Sequence, residues 1–120
     1  LKAEFEFLVK LTQSNSLEVR LAAIDAIAKT RQHKAFVIDT LSHIIKFNSE
    51  QEKKAAIKAL GELGGRAAMN VLIDEIKTPT NSSIKTLAIM ALGEAFKNTD
   101  MNELVENVID REQKLQLVVL

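Results

Sequence analysis

Cysteine does not occur in this 120-residue sequence, which removes disulfides, thiolate chemistry and cysteine-ligated metal sites together. Its absence fits a reducing compartment, and the sequence reads as cytoplasmic. Tryptophan and tyrosine are missing as well, and five phenylalanines make up the aromatic content. A stacking platform for single-stranded nucleic acid needs more than that. Charge of one sign is also lacking: 16 lysines and arginines balance 16 aspartates and glutamates. Nothing here attracts nucleic acid or an anionic membrane globally, so no nucleic-acid partner is expected. No apolar run reaches the ~18 residues that span a bilayer, and no secretory signal pattern opens the chain. One proline and four glycines favour an all-helical chain over a β fold. An initiator methionine is absent and the chain closes on LQLVVL, so it reads as a fragment of a longer array.

What is present is a 47% hydrophobic content carried by alanine and branched aliphatics, enough for a continuous core. Its spacing is helical throughout. Leu1, Phe5, Leu8, Val9 and Leu11 share one face of a first segment. After the polar break at 13–16, Asn15 and Glu18 have capping-box spacing. Val19, Ala22, Ala23, Ala26 and Ile27, with Ile24 beside them, then form the next apolar face. Residues 30–34 (TRQHK) make a polar turn, and Val37, Ile38, Leu41, Ile44 and Ile45 form a third face. Ser49 and Glu52 give a cleaner capping box ahead of Ala55, Ala56, Ala59, Leu60 and Leu63. Gly64 and Gly65 suit the positive φ of a helix end. Ala68, Met69, Leu72, Ile73 and Ile76 point inward on the helix that follows. Pro79 marks the strongest break, after which Ser82 or Ser83 is the expected cap. A further helix from about Asp100 carries Met101, Leu104, Val105, Val108 and Ile109, with Asp100 and Glu103 as a third capping box. Met69, Met90 and Met101 are all expected in the core, as are most of the phenylalanines, with Phe7 and Phe47 at edges.

These segments repeat. AAIDAIA (22–28), AAIKALG (55–61) and LAIMALG (87–93) superpose at shifts of 33 and 32 residues. The second helices follow: Ile38, Leu41 and Ile45 match Met69, Leu72 and Ile76, then Met101, Leu104 and Val108. A period near 32 built from helix pairs implies an all-α superhelix, an α-solenoid in which each pair must stack on its neighbours. The expected organisation is one domain over residues 1–120, with repeats at about 16–48, 49–80 and 81–110 and half-repeats at both ends. Tetratricopeptide and ankyrin landmarks are missing.

The chain resembles the HEAT-like family, and its short phycobilisome-lyase type in particular. KKAAIKALGELGGRAAMNVLIDEI is the copy that carries the likeness most fully; the first copy keeps Val19–Arg20 but loses both glycines, and the third keeps Gly93. The resemblance implies a fold and leaves function open, because such repeats serve many roles. It also implies a role for the basic residue two positions ahead of each motif, Arg20, Lys53 and Lys85: bridging adjacent repeats. A phosphate-binding stripe is the sharper alternative, but Glu50 and Glu52 interrupt it.

By the same resemblance, second helices line the groove of the superhelix. Their outward residues are expected to be Asp39 and His43, then Asn70, Asp74, Glu75 and Lys77, then Asn102, Glu103, Glu106 and Asp110. His43, Asp74 and Glu106 would form a row along it, becoming more acidic towards the C-terminal end. An ordinary solvated helix face explains the same charges. No HExxH, nucleophile elbow or phosphate loop occurs, so no catalytic residue, metal or cofactor is assigned. The expected function is a non-catalytic protein-interaction scaffold that binds its partner, or adjacent repeats of a longer chain, along that groove. The alternatives are a bilin lyase or chromophore-handling subunit, and a nucleic-acid-binding HEAT-like protein. Leu115, Leu117, Val118, Val119 and Leu120 would support self-association through an exposed end face.

Overall fold

The computed structural model describes residues 2–104. Six helices follow one another: α1 (Ala3–Leu11), α2 (Leu17–Lys29), α3 (Lys34–Phe47), α4 (Glu50–Leu63), α5 (Arg66–Lys77) and α6 (Ser82–Lys97). Helix resumes at Met101 and runs to Leu104, the last described residue. The fold is all-α, with helices packed in successive pairs. The first helices stack as α2 on α4 on α6, while α3 packs on α4 and on α5, and α5 packs on α6. α1 lies against α2, and its Phe5 ring meets Phe36 of α3 edge-on at 6.3 Å. None of the described helices is long and apolar enough to cross a membrane.

Local side-chain caps start α2, α4 and α6, though not always at the residue the spacing suggested. Ser49 caps α4: its hydroxyl accepts from the Glu52 amide at 3.4 Å and donates to the Glu52 carboxylate at 2.8 Å. For α2 the cap is Ser16, accepting from Val19 N, rather than Asn15. For α6 it is Asn81, accepting from Ile84 N at 2.9 Å, rather than Ser82 or Ser83. The shifts are one or two residues, the usual uncertainty where several capping residues sit side by side.

The core is continuous from Phe5 to Ala95. On α3 it contains Val37, Ile38, Leu41, Ile44 and Ile45, the face read from the sequence. On α2 the stripe is turned to Ala23, Ile24, Ile27 and Ala28, leaving Val19 and Ala22 exposed, because α2 must meet both α1 and α4. α4 is buried on more than one side, since four other helices touch it. On α6, Ile84, Ala88, Ala91 and Ala95 form the inward stripe. Met90 therefore faces away, and Met101 is exposed too, so only Met69 of the three methionines packs inside. Phe36 and Phe96 are likewise exposed, against expectation.

The two turns inside the described pairs solve one problem differently. Gly64 and Gly65 sit at φ +66° and +94°. The equivalent turn after α2 has no glycine, and Arg31 and His33 adopt φ 53° and 50° in their place. Left-handed backbone costs a non-glycine residue about 1 kcal/mol. Arg31 recovers part of this by donating to the Glu62 carbonyl at 3.2 Å, and His33 by a tilted ring contact with Phe5 at 4.9 Å. Arg31→Gly and His33→Gly are accordingly each expected to shift stability by less than about 0.5 kcal/mol, because relief of the backbone is offset by the lost Glu62 bond or Phe5 contact and by the freer unfolded chain. Urea unfolding midpoints of the two variants check this.

Candidate functional site

The second helices present two clefts, one on each side of α3. The first lies between α1 and α3, encloses about 390 Å³, and is lined by Val9, Thr12, Phe36, Asp39, His43 and Ile44 among others. The second lies between α3, α5 and the proline turn, encloses about 330 Å³, and includes Ile45, Lys46, Lys53, Val71, Asp74 and Glu75. Asp39 and His43 thus belong to the first cleft and Asp74 to the second, so the expected row of His43, Asp74 and Glu106 is divided rather than continuous. Glu106 lies outside the described residues.

The exposed members of the expected groove are Asp39, His43, Asn70, Asp74, Lys77 and Asn102. Neither Asp39 nor Asp74 forms an ion pair among the described residues. Glu75 departs from the expectation. It was read as outward, but it is buried, its carboxylate turned to Lys53 of α4 at 3.8 Å. The reason lies on the neighbouring helix, where Lys53 brings a positive charge to the inner side of α5; an isolated buried carboxylate would be far more costly. Glu103 departs too. Its carboxylate does not close a capping box on Asp100; it accepts from the backbone amide of Arg66 at 2.9 Å, at the start of α5.

That contact belongs to a set that joins one helix pair to the next. α5 begins at Gly65, which has no side chain to cap its free amides. Thr99 supplies a hydroxyl to Gly65 N at 2.9 Å and Glu103 a carboxylate to Arg66 N, so the cap comes from residues more than thirty positions away. Asn98 closes the other side of the turn, donating to the Gly61 carbonyl at 3.1 Å. Negative charge at the N-terminal end of α5 also suits its dipole. Sequence reading missed Asn98 and Thr99. No repeat signal marks them, because the matching positions of the earlier copies are Arg66 and Ala67, then His33 and Lys34.

The basic positions behave unequally. Arg20 of α2 contacts Glu52 of α4 at 3.3 Å and donates to the Ser14 carbonyl at 2.7 Å, so it ties the turn before α2 to the next helix pair. Lys53 pairs with Glu75 inside its own helix pair. Lys85 is exposed, with no ion pair among the described residues.

A feature left unread in the sequence is the outer face of α3. Phe36, Thr40, His43 and Phe47 recur at helical spacing, and Phe36 and Phe47 are 42% and 71% exposed. Reading the polar face of α3 at the same period as its core face would have found them.

A search of curated proteins gave no match. Comparison with protein families did: the profile described as HEAT repeats matches residues 5–109. The helix pairs, the stacking of α2, α4 and α6, and a match spanning most of the sequence lead to one conclusion, that the chain belongs to the family of HEAT repeats.

Proposed function

We propose that the protein is a non-catalytic interaction scaffold whose second-helix face, α3 and α5 with α1 ahead of them, binds a protein partner. The observation that carries this reading is the pairing of two clefts on that face with two exposed, unpaired carboxylates, Asp39 and Asp74. A rigid helical array binds with little ordering cost, because the surface is already formed. Family membership supports the reading, since HEAT repeats generally serve as interaction scaffolds.

The test is affinity capture with the chain, followed by titration of the purified partner against charge-reversed variants. Asp39→Lys and Asp74→Lys together are expected to weaken binding about tenfold or more. Lys58→Glu, on the exposed side of α4, should leave it within about twofold. Binding indifferent to both aspartates would mean the wrong face has been chosen. The motif likeness of residues 53–76 to lyase-type repeats supports a second reading, chromophore handling. It is tested by mixing with free bilin, and an unchanged absorbance spectrum would remove it.

A further inference from the structure

The α1–α3 cleft is unusual for this protein in being aromatic and acidic at once. Phe36 forms one wall, Val9 and Ile44 the floor, and Asp39 is the one carboxylate among the lining residues, with no lysine or arginine beside it there. The hydroxyl donors of the cleft are already spent within the protein. Thr12 donates to the Val9 carbonyl at 2.6 Å and Thr40 to the Phe36 carbonyl at 3.0 Å. The Asn48 amide donates to Glu52 at 2.6 Å. Gln13 and His43 keep exposed N–H groups among the lining residues, but the one charged group on offer is an acceptor, the Asp39 carboxylate, next to a half-exposed phenyl ring. Further along α3, the His43 ring meets Phe47 in a tilted contact at 4.6 Å and continues the aromatic stripe.

We propose that this cleft receives an arginine-bearing segment of a protein partner, with the guanidinium on Asp39 and a neighbouring apolar side chain against Phe36. The inference rests on the interaction-scaffold reading and names the chemistry of the partner. A guanidinium has donors only, in a planar fork that matches a carboxylate, and its face stacks on an aromatic ring. It therefore meets the acidic character of the cleft, while the apolar neighbour meets Phe36. An acidic segment meets the unpaired Asp39 with like charge, and a purely apolar one leaves that carboxylate covered and without a partner. The spacing adds a length requirement. Phe36 and Phe47 stand eleven residues apart on α3, about 16 Å along its axis, so a segment that touches both reaches about that far.

The test uses the full chain, isotopically labelled, and four synthetic fifteen-residue peptides. All share one phenylalanine and differ at a single site four residues away, which is arginine, lysine, citrulline or glutamate. Citrulline keeps the shape of arginine without the charge. Amide shifts of Asp39, Thr40 and His43 locate the binding, and titration ranks it. The arginine peptide is expected to bind about tenfold more tightly than the citrulline peptide, the lysine peptide to fall between them, and the glutamate peptide to bind weakest. Asp39→Asn should abolish the preference for arginine over citrulline. Phe36→Ala should weaken all four peptides by a similar factor. Both residues are exposed, so the fold is retained, and circular dichroism verifies it. Equal binding of arginine and citrulline, a preference that survives Asp39→Asn, or shifts away from α3 would each overturn the proposal. The scaffold reading has its own separate outcome. If a purified partner responds to Asp74→Lys and not to Asp39→Lys, this cleft assignment fails while the second-helix face stands. If it responds to neither, both fail.

Discussion

Gly64→Ala is expected to destabilise the protein by about 3 kcal/mol and lower its melting temperature by roughly 10–20 °C. Two independent effects add at this position. Its backbone, at φ 66° and ψ −173°, lies in a region that only glycine occupies comfortably. A Cβ there would also stand 2.7 Å from the Asn98 carbonyl oxygen and 2.8 Å from the Asn98 carbonyl carbon. Those are backbone atoms of the following turn, so relief requires the turn itself to move. Moving it would disturb the contacts of Asn98, Thr99 and Glu103 that finish α4 and begin α5. The comparison is Gly93→Ala. Gly93 matches Gly61 in the repeat, but a Cβ on it meets nothing within 4 Å among the described residues, and it lies inside a helix. Alanine there should raise stability by about 0.5–1 kcal/mol, from helix propensity alone. Thermal melts of the two variants, run side by side, separate a turn that needs glycine from a helix that tolerates it. Equal melting temperatures would show that the α4–α5 turn is not held in this way.

The contrast between those glycines shows how far the sequence could be read. Helix existence, helix pairing and the repeat were legible because they depend on apolar spacing and on caps within three or four residues. The core face of α3 is a clear instance, with all five residues in place. Features that depend on a distant neighbour were not legible. Glu75 looks like any outward acid on an amphipathic helix until Lys53 is placed beside it. Glu103 has capping-box spacing to Asp100, yet its carboxylate is drawn to the free amides of α5. Arg31 and His33 hold left-handed backbone without the glycine that would announce it.

The candidate site divides along the same line. Asp39, His43, Asn70 and Asp74 follow from the family resemblance, which points to the second helices, together with periodicity, and they are exposed because a helix face opposite a strong core stripe has nowhere else to point. Their separation into two clefts was not legible, because it depends on α3 standing between α1 and α5. The exposure of Phe36, Phe96, Met90 and Met101 was not legible, because a large apolar residue at helical spacing reads as core. Surface apolar residues are common in folded proteins, and a series at helical spacing is more informative than any single one.

Glu52→Ala should cost about 2 kcal/mol at neutral pH and flatten the acid end of the stability profile. Glu52 is only 3% exposed, and its two oxygens take hydrogen bonds from Asn48 at 2.6 Å and Ser49 at 2.8 Å, with the Arg20 guanidinium at 3.3 Å. The carboxylate therefore joins the turn before α4 to α2 of the preceding pair. Removing one partner of a fully buried ion pair often costs 3–5 kcal/mol. The figure is smaller here because Arg20 keeps its bond to the Ser14 carbonyl and is partly reached by water. Burial by itself would raise the carboxyl above its ordinary value of 4.5, but the bonds from Asn48 and Ser49 and the charge of Arg20 together outweigh it, so the group is held below that value. The sign of the pH effect follows. A carboxylate with a lowered folded pKa contributes its full stabilisation above the unfolded value and loses it as pH falls through the folded one. The wild-type protein should thus lose stability on acidification below about pH 4.5 partly through this group. Glu52→Gln, which keeps the shape and can still accept a hydrogen bond, should be less stable than wild type at pH 7 and converge on it at the acid end. Urea unfolding of the wild type and Glu52→Gln from pH 7 down to pH 3 measures the gap between them. A gap that stayed constant across that range would mean that the charge of Glu52, and with it the tie to Arg20, contributes nothing to holding successive helix pairs together.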